Sequence, residues 1–235
     1  MNYQWAAATH RGRVRAHNED AVYPESAGRG AGPAVLMVAD GMGGHVAGDI
    51  ASRTAITVAA ETDGTPAERV EAANRAILDE VAHRPELAGM GTTLTLVELG
   101  ADGVARFAHV GDSRAYLLRD GRLRQLSTDH TVVAEYVQAG KLTAEEAATH
   151  PQRSMLTRAL GLVPVLEVDT FEEPLQPGDR LLLCSDGVSS MIDDEQIADA
   201  LRATTPEEAA WELVERANQA GGLDNITALI ADVEP

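Results

Sequence analysis

The sequence predicts an α+β fold in which antiparallel sheets are covered by helices. Three observations lead there. Apolar alternations joined by Ala101-Asp102-Gly103 and by Asp120-Gly121 read as consecutive hairpins, since Asp-Gly between alternating segments is a strong turn signal. Two long helical segments stand apart from the hairpins and open with the same capping device. Strands outnumber helices without alternating with them, which argues against a βαβ chain.

Along the chain, the opening MNYQWAAATHRGRVR lacks the apolar core of a signal peptide. Gly28 to Pro33, GRGAGP, reads as a short flexible turn. An apolar run then ends at Asp40 in VADGMGGHVAG, and a helix is expected from Gly48 to about Ala60. Thr65, Pro66 and Glu68 form an N-cap, N1 and N3 set, and Val70, Ala73, Ile77 and Val81 follow at the spacing of one buried face. Strands are expected at 92–99, 104–110, 114–119 and 122–126. The stretch from Asp129 to Gly161 is polar, holds two short helical pieces, one capped by Thr143 with Glu146, and reads as a surface excursion of the kind that carries function. Strands at 166–171, 180–184 and 226–232 complete the set, with a helix opened by Thr205, Pro206 and Glu208 that buries Ala209, Leu213 and Val214. There is no internal repeat or low-complexity tract, and one domain spanning residues 1–235 is expected.

Composition narrows the function classes. A chain of 235 residues can bury a sizeable core. The formal charge of −18 argues against a nucleic-acid partner, because a phosphate backbone needs a basic surface. An acidic protein can still handle phosphate if bound cations invert its local field. The single cysteine, Cys184, excludes an internal disulfide and fits a reducing compartment. No apolar run has the length of a membrane span, so a cytoplasmic location is expected.

Asp40, Asp112, Asp186 and Asp224 share one grammar: each stands where a strand ends or begins, beside a small or polar residue. Asp20 in RAHNEDAV is a fifth of the same kind. One such aspartate is ordinarily a turn residue. Several brought to one edge would repel unless hard cations sat between them, and oxygen-only ligation favours magnesium or manganese over zinc. Two such ions can activate water for in-line displacement at phosphorus. Gly41, lacking a side chain, can turn its carbonyl to an ion.

RAHNEDA, VADGMGGHVAG, GMGTTLT, VGDSRAYLLRDG, HPQRSMLTRALG, LLLCSDGV and GLDNIT resemble the ordered motifs of the metal-dependent type 2C protein serine/threonine phosphatases in their bacterial form, over about residues 9–233. The resemblance implies an αββα sandwich, two central antiparallel sheets flanked by helices, with the 129–161 segment as a flap beside the active site. It implies that Asp40 bridges two Mn2+ or Mg2+ ions and that Gly41 binds one through its carbonyl. Asp186 and Asp224 complete the other ion's shell, while Asp20 and Glu19 act through bound water. Asp112, with Asp186 and Ser154, matches the site of a third, weaker ion. Arg15 matches the arginine that clamps the substrate phosphate, a task suited to its planar fork of donors. Asn225 is expected to orient Asp224. Met42 stands where the eukaryotic branch has a histidine that protonates the leaving group, and His45 is the nearest histidine in the motif.

The implied activity is hydrolysis of phosphoserine and phosphothreonine on proteins, opposing bacterial serine/threonine kinases, by a monomer with phosphoprotein partners. The rival is a pseudophosphatase, the same fold kept as a phosphoprotein-binding or regulatory module. Two other enzyme classes are excluded by position. A cysteine-dependent phosphatase needs an arginine six residues after its nucleophile, and Ser190 stands there after Cys184. The GDSRA sequence resembles a nucleophile elbow, but a hairpin follows it where a helix is required, and no histidine lies beyond His150.

Overall fold

The computed structural model describes residues 1–44 and 46–234. In chain order the elements are β1 (Asn2–His10), β2 (Asp20–Tyr23), β3 (Gly28–Ala31), β4 (Ala34–Met42), α1 (Val46–Glu61), α2 (Pro66–His83), β5 (Gly91–Thr92), β6 (Leu94–Leu99), β7 (Val104–Val110), β8 (Arg114–Arg119) and β9 (Arg122–Gln125). There follow α3 (Val132–Gln138), α4 (Ala144–Ala148), β10 (Asp169–Pro174), β11 (Arg180–Cys184), α5 (Asp186–Ser189), α6 (Asp194–Ala200), α7 (Pro206–Gln219) and β12 (Ile226–Glu234). One sheet has the order β3-β1-β12-β11-β8-β9; the other runs β10-β7-β6-β4-β2, with β5 added to β4. All the pairings are antiparallel.

Strand periodicity builds the four layers. In β4, Leu36 and Val38 face the other sheet, while Met37 and Ala39 face the helices. In β12, Leu229, Ala231 and Val233 point inward, and Ala228 and Ile230 point outward toward α7. Strands buried on both faces are apolar throughout, which is why these runs show no polar alternation. The result is the αββα sandwich: α1 and α2 cover one sheet, and α5, α6 and α7 cover the other.

The Thr65 and Thr205 capping boxes form as read, and so does that of Thr143. Three expectations are corrected. Residues 28–31 are not a free turn but the edge strand β3, paired with Asn2–Trp5 of β1. The strand expected at 166–171 is shifted to Asp169–Pro174, which pairs with β7 from His109, opposite Asp169, to Val104, opposite Pro174. The strand expected at 92–99 is broken at Thr93, whose backbone N–H donates to the carbonyl of Asp40 at 2.9 Å.

Both ends of the flap are tied to the sandwich. At its start the Arg114 guanidinium pairs with Asp129 at 2.7 Å, and the buried His130 accepts from the N–H of Gly111 through Nδ1 at 3.1 Å. At its end Thr92 and Leu160 exchange backbone bonds of 3.2 and 2.9 Å. Asn74, 2% exposed on α2, accepts from the N–H of Gly161 at 2.7 Å and donates to the carbonyl of Val163 at 3.0 Å. Asn74→Ala leaves two backbone groups without partners, a loss of about 1–3 kcal/mol. Urea unfolding is the measurement: the midpoint is expected to fall with an unchanged slope, and an unchanged midpoint would remove Asn74 from the flap anchor.

Candidate metal centre

Five aspartates reach one end of the sandwich because their strands end or begin there. Asp20 opens β2 and is the direct cross-strand partner of Asp40 on β4. β7 runs in the same direction as β4, since both are antiparallel neighbours of β6, and Asp112 follows it. In the other sheet Asp186 follows β11 and opens α5, and Asp224 precedes β12, the antiparallel neighbour of β11.

Close backbone packing draws these ends together. A Cβ on Gly187 would lie 1.8 Å from the carbonyl oxygen of Asn225, so α5 meets the turn before β12 at a distance that only glycine permits. At Gly41 a Cβ would lie 2.2 Å from the carbonyl oxygen of Gly48 and 2.6 Å from that of Glu19. This approach of α1 to β4 is a reason for glycine at position 41 that the sequence did not reveal.

Each carboxylate has its own support. Asp40 is fixed through its main chain: its N–H donates to Oγ1 of Thr93, and its carbonyl accepts from Oγ1 of Thr92, both at 2.9 Å. Asp20, 7% exposed, accepts at Oδ2 from the hydroxyls of Ser185 at 2.7 Å and Thr227 at 2.6 Å. Its Oδ1 is buried with no hydrogen-bond partner, and so is Oδ1 of Asp186. Asp224 accepts from Nη2 of Arg15 at 2.7 Å, and that arginine's side chain is 54% exposed. Ser154 is exposed on the flap and lines a cavity of about 610 Å3 together with Asp112, Asp186, Val133, Val137 and Ala147.

Asn225 departs from expectation. Its side chain makes its hydrogen bonds elsewhere; the Asp224 carboxylate accepts instead from the backbone N–H of Asn225 at 2.9 Å. The amide reaches the loop before β2, accepting from the N–H of Glu19 at 2.8 Å and donating to the carbonyls of Arg11 at 3.0 Å and His17 at 2.8 Å. The supporting hydroxyls of Thr92, Thr93, Ser185 and Thr227 were not assigned this task from sequence. Their only sequence signal was their place in the quoted motifs: Ser185 and Thr227 near Asp186 and Asp224, Thr92 and Thr93 in GMGTTLT.

Burial and mutual repulsion govern the electrostatics. Burial first, then the charges of Asp186 and Asp224, push Asp20 up to about 7 against the pull of its two hydroxyl donors. Burial and then Asp186 push Asp112 up to about 7; burial and then Asp224 push Asp186 up to about 6. Asp40 is raised well above the ordinary range by burial and by the other four. An all-oxygen set of mutually repelling carboxylates, two with bare buried oxygens, fits hard divalent cations. As they stand, no three His, Cys, Asp or Glu side chains among the described residues are arranged to hold an ion. Asp224 accepts from Arg15 at Oδ2 and from the N–H of Asn225 at Oδ1, which leaves lone pairs on both oxygens.

Other residues fall away from the chemistry. Cys184 is fully buried and its thiol is pushed up to about 12, chiefly by burial, which suits a core residue and not a nucleophile. GDSRA leads into strand β8, with no helix. Met42 ends β4, and His45 lies outside the described residues.

These shifts set a pH dependence. Between the ordinary aspartate value of 3.8 and the raised values near 7, the folded chain keeps protons that the unfolded chain has lost. The contribution of these aspartates to the stability of the metal-free protein is therefore fully present below about 4 and is lost as pH rises through about 7. Thermal melting in chelator is expected to show that decline, with the stabilisation by added Mn2+ growing over the same interval. A melting temperature independent of pH from 5 to 8 in chelator would contradict the repulsive cluster.

The family model described as protein phosphatase 2C matches residues 8–220. The chain is 45% identical over 239 residues to the serine/threonine protein phosphatase PstP of Mycobacterium tuberculosis, covering 98% of this chain and 45% of that protein's length. It is 39% identical to the serine/threonine phosphatase stp of Listeria welshimeri, covering 95% of this chain and 93% of the other. The crystal structure of the M. tuberculosis phosphatase PstP/Ppp superposes with a TM-score of 0.91 at 43% identity over the whole of both chains. The catalytic domain of PstP in complex with two manganese ions gives 0.87 at 41% identity, covering 100% of this chain and 99% of that one. With the sandwich, the aspartate-bearing strand ends and the sequence match all in agreement, the chain belongs to the protein phosphatase 2C family.

Proposed function

We propose that this chain is a metal-dependent protein phosphatase that hydrolyses phosphoserine and phosphothreonine on proteins. The observation that carries the reading is the convergence of Asp20, Asp40, Asp112, Asp186 and Asp224 on one end of the sandwich, an all-oxygen set of the kind that suits hard divalent cations. Manganese in the PstP catalytic domain supports two divalent ions, Mn2+ or Mg2+, as the cofactors here.

Asp40 would be shared by the two ions, with the carbonyl of Gly41 and the carboxylates of Asp186 and Asp224 as further ligands. Asp20 and Glu19 would act through bound water, and Asp112 with Asp186 and Ser154 would hold a third, weaker ion. When bound, the ions lower the pKa of water to make a nucleophile and offset charge on the phosphoryl oxygens. The exposed side chain of Arg15, which reaches Asp224, supports the reading that its guanidinium fork binds two phosphoryl oxygens. Thr92 and Thr93 hold Asp40 still, so little reorganisation is needed as charge develops. Asp112 and Asp186 open into the cavity under the flap, which gives the flanking polypeptide of a phosphoprotein somewhere to lie.

The single cysteine supports a cytoplasmic location, and the likeness to bacterial serine/threonine phosphatases supports a monomer that opposes serine/threonine kinases, with their substrates or the kinases themselves as partners. None of the described helices is long and apolar enough to cross a membrane.

Release of phosphate from a phosphothreonine peptide, with Mn2+ and with chelator, tests the reading; equal and negligible rates would sink it. Asp40→Asn is expected to lower kcat by more than about tenfold at saturating Mn2+, the least that losing a ligand shared by both ions should cost. Arg15→Ala is expected to raise KM with a smaller fall in kcat, a charged hydrogen bond being worth about 1.5–3 kcal/mol or roughly ten- to a hundredfold. An unchanged kcat/KM in the Arg15 variant would take that residue out of the site.

A further inference from the structure

The loop from Arg11 to Glu19 carries Arg15 and is irregular along its length. It forms no ladder with a neighbouring strand, so its shape rests on individual bonds. Two sets of bonds lay it against the turn before β12. The N–H groups of Arg13 and Val14 both donate to the carbonyl of Gly222, at 2.7 and 3.3 Å. The Asn225 amide then takes hold at Arg11, His17 and Glu19, before and after Arg15. Asn225 is 5% exposed, and three of its four hydrogen-bonding positions are used on this one loop.

We infer that Asn225 is a positioning residue for Arg15: its amide sets the loop so that the guanidinium lies within reach of Asp224 and of a phosphate beside it. This rests on the proposed phosphatase reading for Arg15. A ligand-orienting role would require the amide to touch the Asp224 carboxylate. That carboxylate accepts from the Asn225 backbone N–H, which every substitution except proline retains. Shortening the side chain therefore frees the Arg15 loop and leaves the support of Asp224 in place. Misplacement of a clamp by about 1 Å can cost two orders of magnitude in rate, so the effect is readable.

The test is a double-mutant cycle of Asn225→Ala with Arg15→Ala, assayed on a phosphothreonine peptide with Mn2+. Hydrogen exchange over residues 11–19 of the metal-free protein and calorimetric Mn2+ affinity accompany it. Asn225→Ala is expected to raise KM about tenfold in the wild-type background and less than about twofold once Arg15 is gone, because both changes disable the same clamp. Faster exchange at 11–19, with Mn2+ affinity unchanged, is expected beside it. Additive effects on KM, a loss of Mn2+ affinity with KM unchanged, or unchanged exchange would each overturn the inference. If Asn225→Ala gives no cooperative melt, Asn225→Asp repeats the cycle, since it keeps the acceptor for the N–H of Glu19 and loses both donors; failure of both to fold would also overturn it. A wild-type protein without Mn2+-dependent turnover would refute the phosphatase reading, and hydrogen exchange would then decide the loop clamp alone.

Discussion

Repulsion among aspartates at one end of the sandwich is the constraint on which the rest of the structure depends. Four of them are lifted above their ordinary range by burial and by one another. Such a cluster works against folding and is tolerated only where the surrounding structure fixes it. The fixation is spread over both sheets. Asp20 and Asp40 are partners in one ladder, while Asp186 and Asp224 flank neighbouring strands in the other. No single strand slip can therefore relax the cluster without dismantling a sheet buried on both faces.

Small residues and hydroxyls do the local part of that work. Gly41 and Gly187 let main chains approach more closely than a Cβ would allow. Ser185 and Thr227 both donate to one oxygen of Asp20 and leave the other bare, so the carboxylate is held without being saturated. A second polar layer lies beneath. Thr93 is bonded to Ser113 at 2.7 Å, and Thr95 joins the carbonyl of Ser113 to the buried His109. Burial holds His109 down at about 4, so it stays neutral and serves as a fixed hydrogen-bonding group.

Much of this was legible in the sequence, for a physical reason. Hairpins signalled by Asp-Gly, helices opened by Thr-Pro-x-Glu and strands that finish beside an aspartate are local codes, and they formed close to where they were read, with a break at Thr93 and with β4 running on past Asp40 to Met42. What was missed depends on contacts distant in sequence. β1 is rich in alanine, which hides its alternation; its small residues let α7 lie close against it. The β3 glycines imitate a turn until β1 is there to pair with them. Helix α6 begins in a capping box of Asp193 and Gln196, a signal present in the sequence but overlooked because the helix is short. Among the candidate site residues, the five aspartates were found by their shared grammar. The true reach of Asn225 was not, because its partners lie more than two hundred positions away.

The double anchoring of the flap has a consequence for how such a protein can diversify. With Asp129 and His130 fixed at one end, and Leu160, Gly161 and Val163 at the other, the intervening chain contributes little to the buried clusters beneath it. Helix α4 buries none of its residues. Residues 132–153 thus form a cassette between two fixed posts. Its composition can drift, or be exchanged by design, while Ser154 and the carboxylate edge keep their geometry, so that on the phosphatase reading the choice of target and the capacity to hold cations can be inherited separately.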